Sequence, residues 1–200
     1  MSRRIVMVLG LAVCVAVVAG CSGKSPTQNS SSTGGPRLES VSALVAEFSD
    51  QELMDTSRVV MRGRVIGKGT SFKVNYPSGD DRDPSREEAQ LFTEWQVKPD
   101  KVYKGDGLVK PGTPVTIVLR GGMMDDLEQV WDDEASLVVG EKVLLFLSEE
   151  GAPGADTADR FWVQGFYQGK YRLTSDGSAV NHDSRKTRPL NQLESAILTP

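Results

Sequence analysis

The chain of 200 residues is 38% hydrophobic, 25% charged and 6% aromatic, which suits one folded domain with a real core and excludes a fibrous or wholly disordered protein. The first twenty residues hold two of the 23 basic residues and none of the 27 acidic ones, so the remainder has a net charge of −6. A chain this acidic is not expected to bind nucleic acid through its phosphates. Two cysteines and one histidine also exclude a Cys/His zinc site.

The amino terminus has the parts of an export signal in the right order. Arg3 and Arg4 precede an apolar run of sixteen residues, Ile5 to Gly20, which ends at Cys21. As a helix this run would be about 24 Å long, shorter than the roughly 30 Å hydrocarbon core of a bilayer. Residues 1–20 are therefore predicted to be a signal peptide and not a permanent membrane span.

The residues around the cysteine define the type of signal. Val18, Ala19 and Gly20, followed by Cys21 and Ser22, resemble the lipobox of bacterial lipoproteins. The resemblance implies that a diacylglyceryl group is attached to the Cys21 sulfur, that the chain is cut before Cys21, and that the new amine is acylated, for example with palmitate. Several acyl chains anchor a protein stably, whereas one chain binds marginally. A plain secretory signal with a stray cysteine, or a cysteine buried in the core, are the alternatives.

The next segment has the composition of a tether. Residues 22–37 contain Ser, Thr, Gly, Pro, Gln and Asn but no large apolar side chain, so they cannot bury enough surface to offset their ordering entropy. Sixteen flexible residues reach roughly 20–24 Å. The predicted organisation is a signal peptide at 1–20, a lipidated terminus and flexible linker at 21–37, and a single β-rich domain at 38–200.

Two segments have helical spacing. The folded region is predicted to start near Leu38. There Val41, Leu44, Val45 and Phe48 would share one side of a short helix with Ser40 as its N-cap. A second helix is predicted at 190–198, because Pro189 suits the start of a helix and the apolar residues that follow recur on one side.

Between these helices the hydrophobic period is two, which is typical of half-buried strands. The segments with this pattern, or with a short apolar run bounded by turn residues, are 58–66, 91–97, 115–120, 142–148, 160–167, 170–174 and 178–180. Strands without intervening helices favour an antiparallel β fold. The predicted fold class is mainly β, an antiparallel OB-like barrel or a small sandwich with short flanking helices.

Several strand and turn sequences resemble those of other proteins. The stretches Arg58–Val65, Val97 with Val102–Gly105, Val115–Val118 with Gly121 and Gly122, Val139–Leu147 and Gln168–Tyr171 resemble a widespread group of uncharacterised bacterial secreted proteins. Their order is also similar to netrin-like modules, which are OB-type barrels and include the inhibitory domain of metalloproteinase inhibitors. This chain departs from the inhibitors because it lacks their disulfide-bonded amino-terminal cysteines.

Candidate catalytic and metal-ligating residues are not arranged specifically. His182 and Asp183, with Ser184 or Ser195, form a conceivable dyad or triad, but no nucleophile elbow is present. One group of acidic residues could supply paired carboxylates for glycoside hydrolysis: Asp125, Asp126, Asp132, Asp133 and Glu134. The same group, together with Asp80, Asp81 and Asp83, could supply oxygen ligands for calcium, although neither set has an EF-hand spacing. Solvated loops are the simpler interpretation, so no catalytic residue, metal ligand or cofactor is predicted.

Met123, Met124 and Trp131 lie in an apolar and acidic segment that is too polar for a core strand. They either cover one end of the barrel or form a recognition patch, because such side chains contribute much contact area.

The sequence thus predicts a non-enzymatic lipoprotein of the cell membrane or outer membrane, anchored extracytoplasmically by acylated Cys21. Its domain would bind an envelope protein or glycan, or have a structural role in the envelope, without contacting nucleic acid. A hydrolase of envelope polymers or peptides and a lipidated protease-inhibitor-like module are the alternatives.

Overall fold

The computed structural model describes residues 36–42, 46–77, 87–149, 160–181 and 187–199. The secondary structure in chain order is β1 (Arg37–Val41), α1 (Asp50–Thr56), β2 (Val59–Pro77), β3 (Glu87–Lys104), β4 (Val115–Arg120), β5 (Gly122–Met124), β6 (Leu127–Trp131), β7 (Lys142–Ser148), β8 (Arg160–Val163), a 3₁₀ turn (Phe166–Gly169), β9 (Lys170–Leu173), β10 (Ser178–Asn181), β11 (Thr187–Pro189) and α2 (Leu190–Leu198). The prediction of a mainly β protein is confirmed.

The larger sheet contains a ring of strand pairings. Its order is β11-β10-β9-β7-β2-β3-β4-β8, and β8 pairs a second time with β7. The pairing therefore returns to its starting point through β7, β2, β3, β4 and β8. All of these pairs are antiparallel except β4 with β8, which are parallel at Thr116 and Ile117. The antiparallel pairing predicted from the sequence is thus found for most pairs. The exception joins two strands that are not neighbours in the sequence, because β5, β6 and β7 lie between β4 and β8 in the chain.

Alternation along the ring strands separates two apolar layers. Side chains on one face fill the interior of the ring, while those on the opposite face of β2, β7 and β9 are covered by α1 and α2. The interior layer is Val59, Met61, Val65, Val97, Val109, Val115, Ile117, Leu119, Ala135, Leu137, Val143, Leu145, Leu147, Phe161 and Val163. The outer layer is Leu53, Val60, Leu144, Phe146, Tyr171, Ala179 and Leu193. Each fully buried leucine or phenylalanine of these layers stabilises the fold by roughly 1.5–3 kcal/mol.

The predicted amino-terminal helix is wrong. Residues Arg37–Val41 form β1, which pairs in parallel with β6 from Arg37 with Leu127 to Val41 with Trp131. The helix begins later, at Asp50, where the Ser49 side chain accepts from the Glu52 amide and the Glu52 carboxylate accepts from the Ser49 amide. Leu44 and Val45 lie outside the described residues.

The smaller sheet has the order β1-β6-β5 and lies beside the far ends of β2 and β3. It is anchored to β3 by one buried side chain, that of Gln129. The Gln129 amide oxygen accepts from the Leu91 amide at 2.7 Å, and its nitrogen donates to the Ala89 carbonyl at 2.9 Å and to Glu39 at 3.0 Å. The Gln129 side chain thus forms hydrogen bonds with the β3 backbone that a neighbouring strand would otherwise form.

Candidate functional site

The site is built around the last residue of β4. Along this strand Val115, Ile117 and Leu119 point into the ring, so Arg120 projects from the outer face. Gly121, at φ 91°, ends the strand in a conformation that favours glycine. On the outer face Arg120 lies opposite Phe92 of β3.

Three aromatic rings surround the Arg120 guanidinium. Its central carbon lies 4.6 Å from the ring centre of Phe166, 4.9 Å from that of Trp162 and 5.4 Å from that of Trp131. These distances are those of cation–π contacts, which attract the cation and restrict its orientation. The rings come from β6, β8 and the turn after β8, so segments distant in sequence fix one side chain.

The turn that supplies Phe166 is conformationally unusual. Gly165 and Phe166 both have left-handed backbones, with φ values of 66° and 58°. This conformation costs a bulky residue roughly 1–2 kcal/mol. A Cβ atom on Gly165 would also lie 3.1 Å from side-chain carbons of Leu53 and Phe48. The strained turn places the Phe166 ring against Arg120, and strain of this kind is concentrated at functional sites.

Glu134 is the acidic member of the site, and its side chain is only 6% exposed. One carboxylate oxygen accepts from the Arg120 amide at 3.3 Å and the other from the Ala135 amide at 3.2 Å. Burial raises the pKa of Glu134 above its ordinary value, while the Arg120 charge and the two amides oppose the increase. The closest distance from an Arg120 terminal nitrogen to this carboxylate is 3.6 Å, which is an ion pair without a hydrogen bond.

Arg120 and Glu134 line two adjoining depressions, of about 340 and 410 Å³. The smaller depression, which we call the Arg120 cleft, is lined by Phe48, Arg120, Glu134, Ser148, Trp162, Val163, Gln164, Gly165 and Phe166. Trp162 continues the aromatic surface, because its ring packs against Phe92 at 5.6 Å in an edge-to-face arrangement. The other depression contains Trp131. An apolar, aromatic wall with a few polar groups is typical of ligand pockets.

Two sets of donors at this site have no hydrogen-bond acceptor among the described residues. The Arg120 side chain is 27% exposed, and within the described part of the chain its guanidinium donates no hydrogen bond. The Trp131 indole nitrogen is buried and likewise has no acceptor among the described residues. The planar guanidinium is restricted by three rings, and its N–H groups donate to no described residue. Such a group can form paired hydrogen bonds to a carboxylate or phosphate. The site is therefore suited chemically to an anionic group attached to an apolar or ring-shaped body.

The three residues predicted as a patch are divided between two faces of the smaller sheet. Met123 is cross-strand from Glu128, which in turn pairs with Leu38, so Met123, Leu38 and the neighbouring Val130 share the outer face. These three side chains are exposed. Met124 and Trp131 belong to the opposite face, where Trp131 contacts Arg120. The patch remains a prediction, and the structure places Trp131 in the depression that adjoins the Arg120 cleft and Met123 on a separate apolar surface.

Other predicted candidates lie elsewhere. Cys21, His182, Asp183, Ser184 and the acidic group at 80–83 fall outside the described residues. Ser195 is exposed on α2. Asp125 and Asp126 form the turn between β5 and β6, and Asp132 and Asp133 follow β6. Within the described ranges, no three His, Cys, Asp or Glu side chains are placed to hold a metal ion together.

The sequence analysis missed Arg120, Trp162 and Phe166 as site residues. One local signal for Arg120 was available, because a cation ends a strand that is apolar apart from Thr116, immediately before two glycines. Trp162 and Phe166 carried no comparable signal, since an aromatic in an alternating strand is usually part of the core.

None of the helices in the described parts of the chain has both the length and the apolar character needed to span a membrane. Comparisons of the sequence with protein-family profiles and with curated proteins give no match.

Proposed function

We propose that this protein is an extracytoplasmic lipoprotein, anchored through acylated Cys21, whose β domain is a non-catalytic module that binds a carboxylate-bearing envelope glycan or peptide in the Arg120 cleft. The observation that carries the binding proposal is the placement of Arg120, whose guanidinium contacts three rings and donates no hydrogen bond to any described residue. Fixing the side chain before the ligand arrives lowers the entropy cost of binding.

A carboxylate is favoured over a neutral ligand for an electrostatic reason. The chain without its first twenty residues has a net charge of −6, so its general field repels anions. Binding of an anion therefore needs a local, oriented cation. Arg120 supplies one, beside the buried carboxyl group of Glu134 at 3.6 Å, whose pKa is raised by its burial. The rings of Trp162 and Phe166 would contact the apolar part of the same ligand.

The proposal includes an OB-like barrel. It is supported by the ring of β2, β3, β4, β8 and β7, since five strands that close on themselves are the core of such a barrel. OB-type barrels bind oligonucleotides and oligosaccharides on the face of their second and third strands. In this chain those strands are β3 and β4, and the paired residues Phe92 and Arg120 lie on that face. A small sandwich is the alternative architecture.

The lipid anchor is supported by the Val18–Ser22 sequence and by the polar tether that follows it. It is tested by labelling cells with a radioactive fatty acid. We expect label in the wild-type protein and none in Cys21→Ser, which would be released or left unprocessed. Label that persists in Cys21→Ser would refute the anchor, and the binding proposal would be unaffected.

The binding site is tested by titrating solubilised envelope fragments while following tryptophan fluorescence, because Trp131 and Trp162 both contact Arg120. We expect Arg120→Gln to weaken binding roughly 10- to 100-fold, the range for a hydrogen bond to a charged group. Arg172→Gln is the matched control, since Arg172 is exposed on β9. Esterified fragments provide the second control. Equal affinity for the free and esterified carboxylates would contradict the proposal.

The buried carboxyl group of Glu134 supports a second candidate function, that of a hydrolase. A buried carboxyl group with a raised pKa, beside a cleft, is suited to act as a general acid. Incubating the protein with envelope polymers would then release fragments, and Glu134→Gln would stop the release while leaving binding intact. Binding without any product would exclude this candidate for the polymers tested.

A further inference from the structure

A second surface combines exposed cations with exposed apolar side chains. The strand register places Arg64 of β2 directly opposite Lys98 of β3 on one side and Lys142 of β7 on the other. All three side chains are exposed, and they border a common depression of about 370 Å³. We call these three cations, together with Ile66, Val138 and Val139, the basic–apolar surface.

Within the described residues, none of the three cations forms an ion pair. Like charges that face each other across neighbouring strands destabilise a sheet. Arg64 donates to a carbonyl, that of Gly140, at 2.7 Å. Asp100 borders the same depression, but its carboxylate accepts from Arg62 at 2.7 Å. Three cations without an ion pair to any described residue thus lie side by side in an acidic protein, and their repulsion lowers the free energy of unfolding.

The apolar part of the surface adjoins these cations. Ile66 follows Arg64 on the same face of β2 and is 44% exposed. Val138 and Val139, which are 63% and 55% exposed, lie outside the depression in the turn before β7, whose Gly140 carbonyl accepts from Arg64 at 2.7 Å. This turn is fixed against β2, because the Gly140 amide donates to the Val65 carbonyl at 2.8 Å and the Val65 amide donates to the Glu141 carbonyl at 2.9 Å.

We infer that the basic–apolar surface, consisting of Arg64, Ile66, Lys98, Val138, Val139 and Lys142, docks the domain onto an anionic lipid bilayer. Cations attract the phosphates of anionic headgroups, and short apolar side chains enter the boundary between headgroups and acyl chains. A soluble polyanion would use the cations but would leave the three aliphatic side chains in water. The bilayer is the occupant that satisfies both parts.

This inference rests on the proposed anchor at Cys21. A tether of about sixteen residues holds the domain within roughly 20–24 Å of the membrane, so a weak surface is sufficient to orient it. Docking would then fix which way the Arg120 cleft faces.

The test uses the processed lipoprotein in vesicles of phosphatidylcholine, with or without phosphatidylglycerol. Lysine acetylation by a water-soluble reagent is measured by mass spectrometry after the vesicles are floated. We expect Lys98 and Lys142 to be protected in the anionic vesicles only, and the protection to disappear at high salt. Lys73 and Lys110, which are exposed elsewhere, should react equally in both.

Variants are compared through energy transfer from tryptophan to a dansyl headgroup. A membrane-surface charge contributes about a fivefold change in binding, so Lys98→Gln with Lys142→Gln should lower the ratio of docked to undocked domain roughly 25-fold. The matched control is Lys73→Gln with Lys110→Gln, which makes the same change in net charge and should have no effect. Val138→Ser with Val139→Ser should weaken docking without removing its salt dependence.

The outcomes separate the two proposals. Flotation without selective protection of Lys98 and Lys142 overturns the docking inference and leaves the anchor intact. Absence of flotation with both vesicle types overturns the anchor, and the docking inference fails with it. Protection by dissolved polyphosphate but not by anionic vesicles assigns the surface to a soluble polyanion and refutes a lipid partner.

Discussion

Lys170 forms a buried ion pair with Glu141. The Lys170 Nζ atom lies 3.0 and 2.9 Å from the two carboxylate oxygens, and the two side chains are 7% and 8% exposed. The same ammonium group donates to the Ser136 carbonyl. The pair therefore fixes the segment between β6 and β7, which carries Glu134 of the Arg120 cleft near its start and Val138 and Val139 of the basic–apolar surface near its end.

Removing one member of this pair should destabilise the protein strongly. Lys170→Ala leaves a buried carboxylate without its cation, and the expected loss in the free energy of unfolding is about 3–5 kcal/mol. The double variant Lys170→Met with Glu141→Leu should lose much less, because it leaves no unpaired charge. Urea denaturation of the three proteins measures both values. Equal losses in the single and double variants would mean that packing, and not charge, is responsible.

Glu134 should give the stability a defined pH dependence. Burial raises its pKa in the folded state above 4.5, so the folded protein binds this proton more tightly than the unfolded chain does. The free energy of unfolding should therefore decrease as the pH rises from about 4.5 through the raised pKa, and this group should contribute no further change above it. In Glu134→Gln that decrease should be absent. Denaturant midpoints measured across this pH range compare the two proteins, and identical profiles would show that Glu134 does not titrate in this way.

Gln129 should hold the smaller sheet against β3. Gln129→Leu removes the acceptor for the buried Leu91 amide, and a buried donor without a partner costs roughly 1–3 kcal/mol. The Leu91 amide should also exchange faster with deuterium in this variant. Glu128→Ala is the control, because Glu128 lies on the opposite face of β6. Unchanged exchange at Leu91 would mean that another group anchors the sheet.

Ser49 should contribute to α1 through its capping box. In Ser49→Ala the Glu52 amide loses its acceptor, and the expected cost is about 1 kcal/mol. Ser49→Thr keeps a hydroxyl group at the cap and should remain close to wild type. Thermal denaturation compares the variants. If alanine and threonine are equally stable at this position, the cap is not a source of stability.

The secondary structure predicted from sequence was most accurate where a pattern is local and complete. The strands at 115–120 and 142–148 and the helix at 190–198 have the same bounds in the structure. The predicted strand at 160–167 is shorter, since it gives way after Val163 to the turn at Gly165 and Phe166. The capping box of Ser49 and Glu52 was visible in the sequence and was overlooked.

Other errors had a cause that no local pattern contains. The helical spacing at 41–48 was misleading, because β1 takes its hydrogen bonds from β6, about ninety residues along the chain. The segment at 123–133, which is too polar for a core strand, forms β5 and β6 of the smaller sheet, and none of its residues belongs to either apolar layer. No local pattern shows that buried Gln129 bonds to the backbone of β3.

The sequence by itself determined that this chain is mainly β, since the period of two depends only on successive side chains pointing to opposite faces. The proposed anchor also rests on the sequence alone, because the resemblance to a lipobox lies in the contiguous residues Val18–Ser22 and does not depend on the fold. Only the tertiary structure decided which residues meet. Arg120 gains its three rings, and Arg64 its two lysines, through strand pairing and register, which join residues far apart in the sequence.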